Sequence, residues 1–151
     1  ISEEKLDEIL AEPFPPILLS EHLPGQEYTV DCFVQNGEAK LILPRKREKM
    51  NNGISVEGTI ENNIEIIAYC QAILDVLPLH GPIGIQVKYS KHSKPLIVEI
   101  NPRIQGTTVA CLGAGINIPH LAASDVEVDP QLQSHIKWGT KFIRHYTELY
   151  Y

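Results

Sequence analysis

Glu99 and Asn101 stand two residues apart in the string Val98-Glu99-Ile100-Asn101-Pro102-Arg103. Side chains two apart on a strand share one face. An earlier run, Ile83-Gly84-Ile85-Gln86-Val87-Lys88-Tyr89, alternates in the same way. If the two runs form a hairpin with Tyr89 facing Leu96, Gln86 lies opposite Glu99, and Asn101 falls one pair away on the diagonal. Opposed Cβ atoms are about 4.5–5.5 Å apart. One carboxylate and two amide oxygens then meet on one face. Such oxygens are hard ligands suited to Mg²⁺, and too few to enclose it, which leaves room for water and substrate phosphates. Pro102 stiffens the strand exit, and Arg103 brings a rigid fork of donors matched to phosphate or carboxylate. The opposite face of both strands is apolar and is expected to be core. The same pattern also describes a solvated strand face with a surface Glu.

Two strands need a frame to hold them. Residues 2–12 read as a helix capped by Ser2, with Leu6, Ile9 and Leu10 on one stripe and Pro13, Pro15 and Pro16 as its stop. Ile17 to Ser20 is an apolar run, and Leu23-Pro24-Gly25 a turn. Glu27 to Gln35 is rich in strand formers, Asn36-Gly37 is a hairpin signal, and Glu38 to Leu43 is the return strand. Residues 44–59 read as a polar loop or an irregular strand crossing. Ile60 to Leu77 has helical periodicity, stopped by Pro78 and Gly81. Residues 107–123 read as helix in two pieces, interrupted at 114–119, and 137–151 as a strand-like tail. Hairpins and helices in this order predict one α+β domain with a mostly antiparallel sheet.

Composition narrows the function classes. The 151 residues carry 13 Lys plus Arg against 19 Asp plus Glu, a formal charge of −6. An acidic chain argues against sequence-independent nucleic-acid binding, which needs a basic surface. No run approaches the roughly 20 apolar residues of a membrane span, so no membrane partner is expected. Cys32, Cys70 and Cys111 are scattered, as free thiols of a reducing, cytoplasmic compartment are. The six histidines show no metal-ligand spacing, and neither a GxSxG nor a GxxxxGK[ST] motif occurs.

The string Val98–Arg103 resembles the metal-binding signature of the ATP-grasp superfamily, in the branch related to the large chain of carbamoyl-phosphate synthase. The resemblance implies ATP and Mg²⁺ (or Mn²⁺) as cofactors. It implies Gln86, Glu99 and Asn101 as metal ligands, and Arg103 as the group that contacts the transferring phosphate or acyl phosphate. Residues 17–31 (ILLSEHLPGQEYTVD) resemble the family's interlobe hinge and the strand after it. That implies the Glu21 carbonyl and Leu23 amide on the adenine edge, and Glu27 on the ribose hydroxyls. Arg45-Lys46-Arg47 and Asn52-Gly53-Ile54-Ser55 resemble the strand and loop lying over the nucleotide. Arg45, Gly53 and Ser55 are the implied contacts, while Lys46, Arg47 and Lys49 read first as a solvated basic loop. Gln105 to Thr108 would lead into a helix whose N-terminal amides face the reacting group.

By this resemblance the fold is the second lobe of the grasp. The other lobe, with its Gly-rich phosphate loop and Lys, would come in cis or in trans. The implied reaction activates a carboxylate or bicarbonate as an acyl phosphate for attack by an amine-type nucleophile, and this chain alone is expected to be inactive. The alternatives are a non-catalytic nucleotide- or partner-binding module and a ligase of dipeptide type.

Overall fold

The computed structural model describes residues 1–11, 13, 18, 20–124, 126–145 and 147–151. Strand β1 (Glu27–Gln35) turns Tyr28, Val30, Cys32 and Val34 to one face and Thr29, Asp31 and Phe33 to the other, and all seven are buried. A strand buried on both sides belongs at the centre of a covered sheet. Accordingly β1 lies between β2 (Glu38–Asn51) and β4 (Gly81–Tyr89). With β3 (Ile54–Ile60), β5 (Pro95–Asn101) and β6 (Lys141–Ile143) they form one six-stranded sheet, ordered β5-β4-β1-β2-β3-β6. Every pairing is antiparallel, as the α+β reading expects.

Two Asn-Gly turns set the hairpins. Asn36-Gly37 has φ of 55° and 77°, and Asn52-Gly53 has 46° and 78°. Consecutive positive φ gives the turn whose twist matches paired strands, and Asn and Gly tolerate it best. The second turn corrects the expectation of a loop over 44–59: these residues are mostly paired strand, with the β2–β3 register shifting on either side of Lys49. β2 continues to Asn51 and β3 returns from Ile54. The apolar alternation fades because the far end of β2, from Glu48, is exposed.

Helix α2 (Ile64–Leu74) is shorter than the periodicity predicts. Ile60 ends β3 instead, and Asn63 caps the helix by accepting from the Ile66 amide at 3.1 Å. Ile66, Cys70 and Leu74, four residues apart, pack on Tyr28, Val30, Cys32 and Ile85. The opposite sheet face is covered by the chain from 105 to 138. It contains a 3₁₀ stretch (Thr108–Leu112), a break, then α3 (Ile118–Ala123). Cys111, Ala114, Ile116, Ile118 and Ile136 pack there on Phe33, Leu41, Leu43 and Ile60. Helix α1 (Glu3–Leu10) has the expected Ser2 cap, but its apolar stripe buries nothing. Among the described residues of the strand-like tail, Lys141–Ile143 alone pair in the sheet. Pro15, Pro16, Ile17, Leu19 and Tyr146, parts of the expected helix stop, apolar run and tail, lie outside the described residues. Among the described residues no helix is long and apolar enough to cross a membrane.

Candidate functional site

Antiparallel register lays the polar residues out in rows. Thr29 pairs with Gln86 and Gln86 with Glu99, so three strands set three polar side chains side by side. One row over, Asp31 pairs with Gly84 and Gly84 with Asn101. On the other side Glu27 pairs with Lys88 and Lys88 with Leu96. The expected pairing of Gln86 with Glu99 is therefore the one observed. Gln86 Nε2 lies 3.4 Å from Glu99 Oε1, and the Asn101 amide nitrogen donates to the same oxygen.

The register slips by one between Gln86 and Val87, because Val98 is an extra residue in β5. A bulge of this kind re-aims the side chains on either side of it. Leu96 thereby pairs with Lys88 rather than facing Tyr89. The slip also corrects the expectation that the second face of both strands is core. Ile83, Ile85 and Val87 of β4 are buried, but Val98 is 51% exposed and Ile97 is exposed too. β5 is the sheet edge, and there Ile97 and Val98 line a cavity together with Leu18 and residues 20–23.

Arg45 departs most from the sequence reading. It is fully buried, pairing with Asp31 through Nη2 (2.8 Å) and Nε (3.1 Å) while Nη1 donates to Thr107 Oγ1. The Phe142 ring lies 5.8 Å from its guanidinium carbon. Arg45 is shut away from solvent entirely, so burial rather than a lack of N–H groups closes it to a nucleotide. Arg47, two residues on along β2, reaches the open site. It pairs with Glu27 and donates to the Gly53 carbonyl, which ties the β2–β3 turn to β1.

A small cavity of about 100 Å³ is lined by Thr29, Arg47, Ser55, Gln86, Gln105 and Thr107, with Gly53 at its rim. Gln105 is the residue the sequence reading undervalued. It is only 9% exposed, and its Nε2 is buried with no hydrogen-bond partner among the described residues. Buried polar atoms are nearly always paired, so an orphan on a residue that lines a cavity points to a ligand. The signal was present as Gly84, the one gap in the rows, which the Gln105 side chain fills. The helix expected behind Gln105 is only the five-residue 3₁₀ stretch.

Glu21 and Leu23 line a larger cavity of about 530 Å³, together with Lys88, Leu96, Ile97 and Val98. Glu27 pairs in register with Lys88, which also lines this cavity, and ion-pairs with Arg47, which lines the small one. Ser55 is buried and donates to the Glu57 carbonyl at 3.2 Å. Arg103 is exposed on the strand exit, and its guanidinium donates to the Ile104 carbonyl at 3.2 Å rather than joining the Gln86–Glu99–Asn101 group. His22, also on the large cavity, is the one histidine near the site.

Among the described residues no cluster of three His, Cys, Asp or Glu exists that would cage a metal. The Glu99 carboxylate instead has two amides turned to it by their NH₂ groups. An amide presents either nitrogen or oxygen. The same three side chains thus offer one carboxylate and two neutral oxygens, which fits Mg²⁺ bound jointly with phosphates and water.

Residues 13–144 match the profile of a family described as ATP-grasp in the biosynthetic pathway with Ter operon. No curated protein sequence matches the chain significantly. Several solved structures share the fold. A biotin carboxylase from Campylobacter jejuni, in complex with a β,γ-ATP compound, is 13% identical with a TM-score of 0.59, over 81% of this chain and 30% of its own. A pyruvate carboxylase from Rhizobium etli is 17% identical, TM-score 0.60, over 86% and 16%. An L-amino acid ligase from Bacillus licheniformis is 16% identical, TM-score 0.54, over 68% and 28%. The chain spans less than a third of each of these proteins. The sheet, its rows of polar residues and the family match across most of the sequence agree, and the chain belongs to the ATP-grasp family.

Proposed function

We propose that this chain is the ATP- and Mg²⁺-binding lobe of a ligase that activates a carboxylate or bicarbonate. The observation that carries the reading is the row Thr29–Gln86–Glu99, with Asn101 turned to the same carboxylate. The hinge cavity at Glu21 and Leu23 suits an adenine, since backbone groups before Pro24 are free to meet its edge. Glu27, beside Lys88 and Arg47 of the two cavities, suits the ribose diol, because a carboxylate accepts from two hydroxyls. Arg47 would give up part of its fork to the phosphates as the nucleotide enters. Gln86, Glu99 and Asn101 would hold Mg²⁺, which when bound neutralises charge building on the phosphate oxygens.

In the reaction a carboxylate oxygen attacks the γ-phosphorus and the β–γ bridging P–O bond breaks, giving ADP and an acyl phosphate. An amine nitrogen then attacks the acyl carbon, phosphate departs with the C–O bonding pair, and the nitrogen loses its proton. The chain presents no obvious general base, so its part is positioning and charge stabilisation. Arg103, exposed at the strand exit, and Gln105, on the wall of the small cavity, are the donors assigned to the acyl phosphate.

Calorimetric titration with ATP tests this, with and without Mg²⁺. Wild type should bind more tightly with Mg²⁺. Glu99→Ala should lose that gain, a loss of about tenfold or more from one charged ligand, and keep its affinity for ATP alone. Equal affinity of wild type with and without Mg²⁺ would overturn the proposal and favour a module that binds nucleotide or a partner without catalysis.

A further inference from the structure

Asp31 and Arg45 are among the most buried of the described residues, at 3% and 0% exposure, and each is turned to the other. A buried ion pair is weak as a stabiliser, since apolar residues of similar size often do as well. What this pair holds is more informative. Its contacts outside the sheet all fall on one short segment, the chain leaving β5 just after Arg103. Arg45 Nη1 donates to Thr107 Oγ1, Thr108 Oγ1 donates to Asp31 Oδ1, and the Cys111 thiol lies 3.5 Å from Asp31 Oδ2. Thr108 Oγ1 also accepts from the Gln105 amide at 3.0 Å, and the Thr108 amide donates back to the Gln105 carbonyl at 3.2 Å. Asp31 is thus linked through one hydroxyl to the backbone of Gln105, whose carboxamide lies over Gly84 in the row between Asp31 and Asn101.

We propose that the Asp31–Arg45 pair is a positioning device, a clamp that through Thr107 and Thr108 fixes the Gln105–Thr108 segment against the phosphate end of the site. Its functional side rests on the ATP and Mg²⁺ reading above. Its structural side stands without a ligand. Charge makes the clamp directional. An apolar pair in the same volume would fill space without dictating which way Thr107 and Thr108 turn, whereas a guanidinium fork and a carboxylate each accept one arrangement of hydroxyls.

Thr108→Val removes the linking hydroxyl at nearly constant volume. Thr108→Ser keeps it, and Arg45→Lys keeps the charge while losing the fork. Two measurements on the whole chain decide the matter. In ligand-free protein, hydrogen–deuterium exchange across 103–108 should quicken by about tenfold in Thr108→Val and Arg45→Lys, from loss of one charge-assisted bond. It should stay near wild type in Thr108→Ser, with β1 and β4 unchanged in all. In calorimetry, affinity for Mg²⁺·ATP should fall by a similar factor in the first two variants and recover in Thr108→Ser, while adenosine, which meets only the hinge end, binds all four proteins alike.

Unchanged exchange in Thr108→Val would overturn the clamp. Quickened exchange with Mg²⁺·ATP affinity intact, or adenosine and Mg²⁺·ATP weakened in equal proportion, would reduce the pair to packing and overturn its positioning role. Wild type lacking any Mg²⁺ gain would overturn the nucleotide reading and the clamp's role in it, and the exchange experiment would then judge the clamp's structural side alone.

Discussion

Gly84→Ala is the sharpest perturbation available. A Cβ built at Gly84 meets Gln105 Nε2 at 1.7 Å, Cδ at 2.2 Å and Cγ at 2.4 Å. Unstrained contacts between such atoms need about 3.5 Å, so the Gln105 side chain must retreat by roughly 1.5–2 Å. Its backbone is tied to Thr108, so the side chain alone has to move. Overfilling of this kind costs about 1–3 kcal/mol, and the loss of glycine's freedom in the unfolded chain returns about 0.4–1 kcal/mol. A net destabilisation of about 1–2 kcal/mol follows. Gly58→Ala is the control. There the new Cβ meets the Lys46 carbonyl at 2.3 Å and the Phe142 ring at 2.7 Å. A carbonyl in the β2–β3 pairing cannot step aside as a side chain can, so about 3 kcal/mol or more is expected. Urea unfolding gives both numbers, and Mg²⁺·ATP titration should show weakened binding in Gly84→Ala. Because the clash has a single partner, Gly84→Ala with Gln105→Ala should be more stable than the sum of the two single variants predicts. Gly84→Ala as stable as wild type, or costlier than Gly58→Ala, would refute the reasoning.

Asn63→Ala removes the α2 cap, and with it the amide donor 3.3 Å from the Tyr89 hydroxyl and 3.5 Å from that of Tyr28. A loss of about 1–2 kcal/mol by urea unfolding is expected. Burial pushes all three thiols up, Cys70 to about 12, so none should react with a thiol reagent at pH 8 until the chain is unfolded. Their folded pKa values lie above the unfolded value of about 8.5, so their contribution is complete below that pH and declines above it, by about 1.4 kcal/mol per pH unit for each thiol. Urea midpoints should therefore fall steadily between pH 9 and 11, and a flat profile would contradict the buried, unionised thiols.

What the sequence revealed and what it hid follow from the range of each interaction. Strand alternation and the Asn36-Gly37 turn are local, so β1 and the start of β2 were legible to the residue, while the end of β2 was not. The pairing of Gln86 with Glu99 came from counting back from a short hairpin, and it held at the site end. It failed beyond Val98 because a bulge leaves no mark in an all-apolar run such as Leu96-Ile97-Val98. Gln105 lay hidden because what makes it notable is its seat over Gly84, twenty-one residues earlier in the chain.

Arg45 and Arg47 show where local reading stops. Both lie on β2 with side chains on the same face, about 6.6 Å apart along the strand. Neither residue type nor spacing separates them. The separation comes from the chain between 105 and 138, which closes over Arg45 entirely and leaves Arg47 on the wall of the small cavity. The same boundary divides the carboxylates, leaving Asp31 enclosed with an arginine and two threonines and Glu99 open with two amides. One sheet face is thus split into a sealed half around Asp31 and Arg45 and a half that borders the small cavity. The segment from Arg103 to Thr108 runs along the seam, so changes in the sealed half should be felt in the other half through that segment and through little else.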